Sequence, residues 1–115
     1  MLSRLTRQVT MLSTCVWIMF ASLTTSISHA GTVHQVEIYQ FKFVPDVVDI
    51  EVGDSIVWTN KDIVPHTATA LDKSWDTGEI LAGESKSVSF HTEADLAYYC
   101  LYHPTMKASV RLLTN

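Results

Sequence analysis

From His34 onward, apolar and polar residues alternate in short runs, and the helical period does not appear. "HQVEIYQFKF" sets Val36 and Ile38 against Glu37 and Tyr39, "VVDIEV" follows Pro45, and "SIVWTN" follows Gly53-Asp54. "HTATAL", "SKSVSFHT", "LAYYCLY" and "MKASVRLL" continue the series, each rich in the β-branched and aromatic residues that suit a pleated, half-buried surface. About seven to eight strands separated by Gly, Pro and Asp turns predict an all-β fold, a Greek-key antiparallel β-sandwich. The long irregular stretch "DKSWDTGEILAGES" is expected to cross between the sheets or cover one end. Trp58, Trp75 and Phe90 are expected in the core, Asp46, Asp49, Glu51 and Asp54 on a solvated rim, and His34 and His91 on the surface.

The first thirty residues follow a different pattern. "MLSRLTRQVT" carries Arg4 and Arg7 without an acid, "MLSTCVWIMFASL" is apolar, and "SISHA" places small residues at Ser28 and Ala30. Charged start, apolar middle and small-residue end are the parts of a secretory signal peptide. The apolar run Met11–Leu23 is shorter than the ~20 residues a membrane-spanning helix needs, so residues 1–30 read as a signal cleaved after Ala30. Residues 31–115 remain as one small domain with no membrane span.

Removing two basic residues changes the charge balance from 8 − 12 = −4 to 6 − 12 = −6. An acidic domain of this kind has no electrostatic footprint for nucleic acid or an anionic membrane. Cys15 departs with the signal, which leaves Cys100 without an internal partner. A lone thiol in an oxidising compartment calls for burial or a metal.

Cys100 stands in "YYCLYHPTMKASV", followed at intervals of three by His103 and Met106. Pro104 disfavours a helical His103, so Cys100 to Met106 is expected to form a loop between the last two strands. A second imidazole, His66, stands in "VPHTATA". Structural zinc sites usually take more thiolates or a second pair of histidines, and rarely a thioether. Thiolate and thioether favour Cu(I), imidazole accepts both copper states, and one Cys, two His and a Met make up the ligand set of a blue-copper electron-transfer site.

"FKFVPDVVDIEVGDSIVWTNKDIVPHTATA", "GEILAGESKSVSFHT" and "YYCLYHPTMKASV" resemble the cupredoxins. The spacing Cys100-x-x-His103-x-x-Met106 is similar to the short ligand loop of the amicyanins, and the wider pattern to plastocyanins and pseudoazurins. The resemblance covers His34 to Leu113 and implies a single type 1 copper ion, with His66, Cys100 and His103 in plane and Met106 axial. Thr67 replaces the Asn that usually follows the first ligand in amicyanins and plastocyanins, so hydrogen bonding around the sulfur is expected to differ.

The function so implied is a monomeric, periplasmic electron carrier, not an enzyme. It would shuttle single electrons from a donor dehydrogenase or cytochrome to an acceptor cytochrome or oxidase, with His103 reaching the surface in an apolar patch of Val64, Pro65, Pro104 and Leu71. The alternative is a copper-binding or copper-delivery protein using the same ligands. No Met-rich or His-rich tract supports delivery, and no His-x-His pair supports a multicopper enzyme.

Overall fold

The alternating runs become eight strands in a computed structural model that describes residues 24–91 and 96–113. Most of the expected signal peptide, residues 1–23, lies outside the described residues. The strands are β1 (Val33–Tyr39), β2 (Lys42–Val44), β3 (Val47–Ile50), β4 (Ser55–Asn60), β5 (Thr69–Ala70), β6 (Ser85–Ser89), β7 (Ala97–Tyr99) and β8 (Lys107–Leu112). One sheet has the order β2-β1-β4-β6 and the other β3-β8-β7-β5. The expected sandwich is therefore present, with one difference: β1 pairs with β4, and β3 with β8, in parallel. Parallel neighbours need a long connection, and here the chain leaves each sheet and returns to it between the paired strands.

Period-two alternation decides which face each strand buries. Ile56, Trp58 and Asn60 of β4 are buried while Val57 and Thr59 are only partly covered, and β1 buries Val36 and Ile38. A one-residue slip would exchange these sets, so the core fixes the register. The opposite sheet contributes Val48, Ile50, Tyr98 and Val110. Trp58 stacks on Trp75 at 5.6 Å and donates its indole N–H to the Tyr98 hydroxyl at 3.3 Å. Burial pushes the Tyr98 phenol up to about 12, against the opposing effect of the Trp58 hydrogen bond, so it stays neutral in the core. Trp75 lies on the irregular segment 71–84, which crosses from β5 in one sheet to β6 in the other, as expected.

Two expectations about polar residues fail at the end of the sandwich where β4 begins. Asp54 is buried at 5 % exposure, not part of a solvated rim. Its carboxylate accepts the amides of Thr32 (2.7 Å) and Glu51 (2.9 Å) and pairs with His34 Nε2 at 2.8 Å. His34 is accordingly half-buried, whereas His91 is exposed as expected. The physical reason is that Asp54 closes the Glu51–Asp54 turn and ties it to the chain entering β1, a long-range junction that local pattern does not reveal.

The Glu51 amide is the largest cause holding the Asp54 carboxyl below the usual range; burial opposes it, and His34 and the Thr32 amide reinforce it. A depressed folded-state pKa contributes stability above the unfolded value of about 3.9, and that stability is lost as pH falls through the lower folded value. Asp54→Ala is therefore expected to cost roughly 1–3 kcal/mol near neutrality, the penalty for orphaned buried donors. Urea unfolding at pH 7 and pH 3 checks this. The difference from the native chain should shrink at pH 3, and an equal loss at both would place the cost in packing alone.

Candidate metal centre

Three connections meet at the other end of the sandwich, and the register shows why. Because β1 and β4 are parallel with Ile38 opposite Asn60, the tip of the β1–β2 hairpin lies beside the point where the chain leaves β4. β7 ends at Tyr99 beside Thr69 of β5, which sets Cys100 close to the segment that follows His66.

Asn60 shapes the crossover that carries His66. Its fully buried amide donates to the carbonyls of Val64 (2.8 Å) and Ile80 (3.0 Å), and its oxygen accepts the Asp62 amide at 2.9 Å. This bends residues 60–64 into a tight loop, the short-range habit of Asn side chains. His66 then exchanges two backbone hydrogen bonds with Ile80, at 3.1 and 2.8 Å, and its ring is sealed at 0 % exposure.

Alternation along β7 turns Tyr98 and Cys100 inward, as their spacing predicts. Residues 101–106 form the expected loop, closed by Met106 N–H to the His103 carbonyl (2.8 Å) and Cys100 N–H to the Met106 carbonyl (3.1 Å). Met106 is buried at 3 % exposure and is held through its backbone to both Cys100 and His103.

The ligand atoms of His66, Cys100 and His103 all lie within 4.8 Å of one another. Cys100 Sγ is 3.7 Å from Nδ1 of each histidine, and the two Nδ1 atoms are 3.2 Å apart. The orientation of His66 follows from Asp62, whose Oδ2 lies 2.9 Å from His66 Nε2. Ionised carboxylates only accept, so Nε2 carries the hydrogen and the Nδ1 lone pair faces the sulfur. Burial pushes the Asp62 carboxyl up, but the amides of Phe41 and Gln40 and the His66 ring outweigh it and hold it below the usual range.

Thr67 takes over the hydrogen bonding around the sulfur. Its amide points to Cys100 Sγ at 3.4 Å, and its hydroxyl oxygen accepts the Leu101 amide at 2.9 Å. That hydroxyl lies 3.0 Å from the Thr69 hydroxyl, which itself donates to Asp76 at 3.0 Å, so Thr67 must donate to Thr69. Residue 67 thus pins the Cys100 sulfur through its backbone and the start of the 101–106 loop through its threonine hydroxyl.

Phe41, Asn60 and Asp62 are the residues that sequence reasoning missed. The Phe41 ring stands edge-on to His103 (4.9 Å, 88°) and to His66 (5.4 Å, 86°) while remaining half-exposed. Of the anticipated surface patch, Pro65 and Pro104 are exposed and Val64 is half-buried. Leu71 is exposed too, but its amide bonds to Ala97, so it follows β7 away from Cys100.

The donor set fits copper. Two imidazole nitrogens and one sulfur converge, and the carboxylate bonded to His66, that of Asp62, already accepts from three N–H groups. A hard cation would require oxygen ligands instead. Residues 30–113 match the family described as copper binding proteins, plastocyanin/azurin family. Amicyanin-alpha of Methylorubrum extorquens is 28 % identical over 81 residues, covering 66 % of this chain and 68 % of that protein. A reduced amicyanin variant superposes with a TM-score of 0.60 at 25 % identity, over 70 % of this chain and 82 % of its own. A copper-containing nitrite reductase from Thermus scotoductus matches with a TM-score of 0.65 at 24 % identity, over 71 % of this chain; this chain spans only 22 % of that enzyme, and the likeness is one of fold. With its family profile matched across nearly the whole sandwich, the chain belongs to the plastocyanin/azurin family of copper-binding proteins.

Proposed function

We propose that the chain is an exported, periplasmic one-electron carrier in which His66, Cys100, His103 and Met106 hold a single copper ion. The observation that carries this reading is the convergence of two Nδ1 atoms and one thiol sulfur within 4.8 Å, at an end of the sandwich where His66 and Cys100 are fully buried. Copper bound there supplies a one-electron couple between Cu(I) and Cu(II). The chain supplies stillness: His66 is held by Asp62 and Ile80, Cys100 by Thr67, and the loop by its own turn bonds. Donors fixed in place before any electron arrives need little rearrangement when one does.

His103 is the ring of the set that stays partly exposed, since His66 and Cys100 are at 0 %. It is therefore the exit for the electron, framed by exposed Phe41, Pro65 and Pro104. A small apolar surface of this kind supports brief encounters. The balance of −6 over residues 31–115, from 6 basic and 12 acidic side chains, would steer a basic donor or acceptor toward it. The same burial disfavours the copper-delivery alternative, because two of the three clustered donors have no open path to a recipient. The reading is that of a carrier and not of an enzyme.

Three measurements test it. Addition of Cu(II) to residues 31–115 should give an intense visible band from the thiolate-to-copper transition, and Cys100→Ser should abolish it while the far-ultraviolet dichroism stays native. A band that survives in the variant would sink the ligand assignment. Met106→Gln should keep the band and lower the potential, because an oxygen donor favours Cu(II); a rise on voltammetry would remove Met106 from the ligand set. For the exit, His103→Gly should slow electron self-exchange, measured by NMR line broadening in mixed oxidation states, far more than Lys73→Ala on the segment between β5 and β6. Equal slowing would mean that the electron leaves elsewhere.

A further inference from the structure

The tip of the β1–β2 hairpin is built in a conformation that its own residues do not favour. Gln40 and Phe41 connect Tyr39 to Lys42 with φ of 51° and 58°. Two successive left-handed residues are the mark of a type I′ turn, which ordinarily selects Asn-Gly, not Gln-Phe. Something outside the turn must hold it. The two amides project together, and both land on Asp62: Gln40 N–H on Oδ1 at 2.7 Å and Phe41 N–H on Oδ2 at 3.0 Å. Paired backbone N–H groups of this sort form a small cradle for an anion. The same Oδ2 accepts the Nε2–H of His66 at 2.9 Å.

Resting on the copper reading above, we propose that Asp62 is a positioning residue that sets the metal-facing tautomer and electron density of His66 and, with the same carboxylate, clamps the hairpin so that Phe41 lies against the ligand imidazoles. A packed ring alone can be held in place by contacts, but contacts do not choose which nitrogen keeps its hydrogen; an acceptor at Nε2 does. A full negative charge on the far side of the ring makes Nδ1 a better donor, and the benefit is greater for Cu(II) than for Cu(I) because the metal charge is greater. The carboxylate therefore lowers the potential. Its third role is steric. Without it the hairpin tip has no reason to keep φ positive at Phe41, and the aromatic edge over His66 and His103 would move.

The test separates the charge from the clamp. Asp62→Asn is made in the native chain and in a background carrying Gln40→Asn and Phe41→Gly, where the turn is favourable without help from a carboxylate. Cu(II) affinity is read by competition with a chelator, the potential by voltammetry, and the turn by amide exchange at positions 40 and 41 in the metal-free protein. In the native chain, Asp62→Asn is expected to weaken Cu(II) binding by about ten- to a hundredfold. A tenfold loss relative to Cu(I) raises a one-electron potential by about 59 mV. Exchange at the two amides should speed up. In the Asn-Gly background, amide exchange should no longer respond to Asp62→Asn, while affinity and potential still shift. A potential unchanged in both backgrounds overturns the proposal, as does a shift that vanishes in the Asn-Gly background, since Asp62 would then act only through the hairpin. Failure of the unsubstituted chain to bind Cu(II) would instead overturn the copper reading, and this proposal with it.

Discussion

The polar atoms buried where the crossover meets the ligand loop have to find partners within the chain, and the shape of the site follows from how they do so. Asn60, His66, Thr67 and Thr69 are all at 0–1 % exposure, and among the described residues no buried side-chain nitrogen or oxygen lacks a hydrogen-bond partner. An unmet group of this kind costs roughly 1–3 kcal/mol, so each one acts as a constraint on its neighbours. Asn60 can satisfy its amide only if residues 60–64 bend back to offer the Val64 carbonyl and if Ile80 comes alongside. That bend presents His66. Thr67 can satisfy its hydroxyl only between Leu101 and Thr69, and this brings the Cys100 loop against the crossover.

The same network accounts for how differently the three converging donors are held. His66 and Cys100 are locked by Asp62 and Thr67 of the connection between β4 and β5, whereas His103 is held by the turn around Pro104 and by the Phe41 ring. Rigidity on the inside and exposure on one side are what a carrier needs, because the metal must stay bound while its charge changes and the electron must still reach a partner. The aromatic cluster of Trp58, Trp75 and Tyr98 sits further down the core and works as the stiff foundation for β4 and β7, the strands that end at Asn60 and just before Cys100.

Much of this was legible in the sequence. The period-two run in "HQVEIY" marked β1 with its buried face, "SIVWTN" marked β4 with Trp58 inward, and the three-residue spacing from Cys100 through Pro104 to Met106 located the loop that brings Cys100 and His103 to the candidate site. The rest depended on contacts between distant segments. Asp62 looks like any solvent-facing acid in "NKDIVP", and Phe41 like the next apolar residue of a strand; their roles exist only because β1 runs parallel to β4 and delivers the hairpin tip to the crossover. Asp54 was misread for the same reason, since Thr32 and His34, which lie about twenty residues before it, supply its burial. A Gln-Phe pair at a hairpin tip carries no turn signal of its own, so its left-handed conformation could be found only in three dimensions.

X-ray absorption at the copper edge, on one sample taken through both oxidation states, reads the metal's neighbours in each. One thiolate sulfur and two imidazole nitrogens should surround the metal in Cu(II) and in Cu(I), with nearly unchanged distances. A shell of oxygen ligands, or the loss of the sulfur on reduction, would contradict the copper reading.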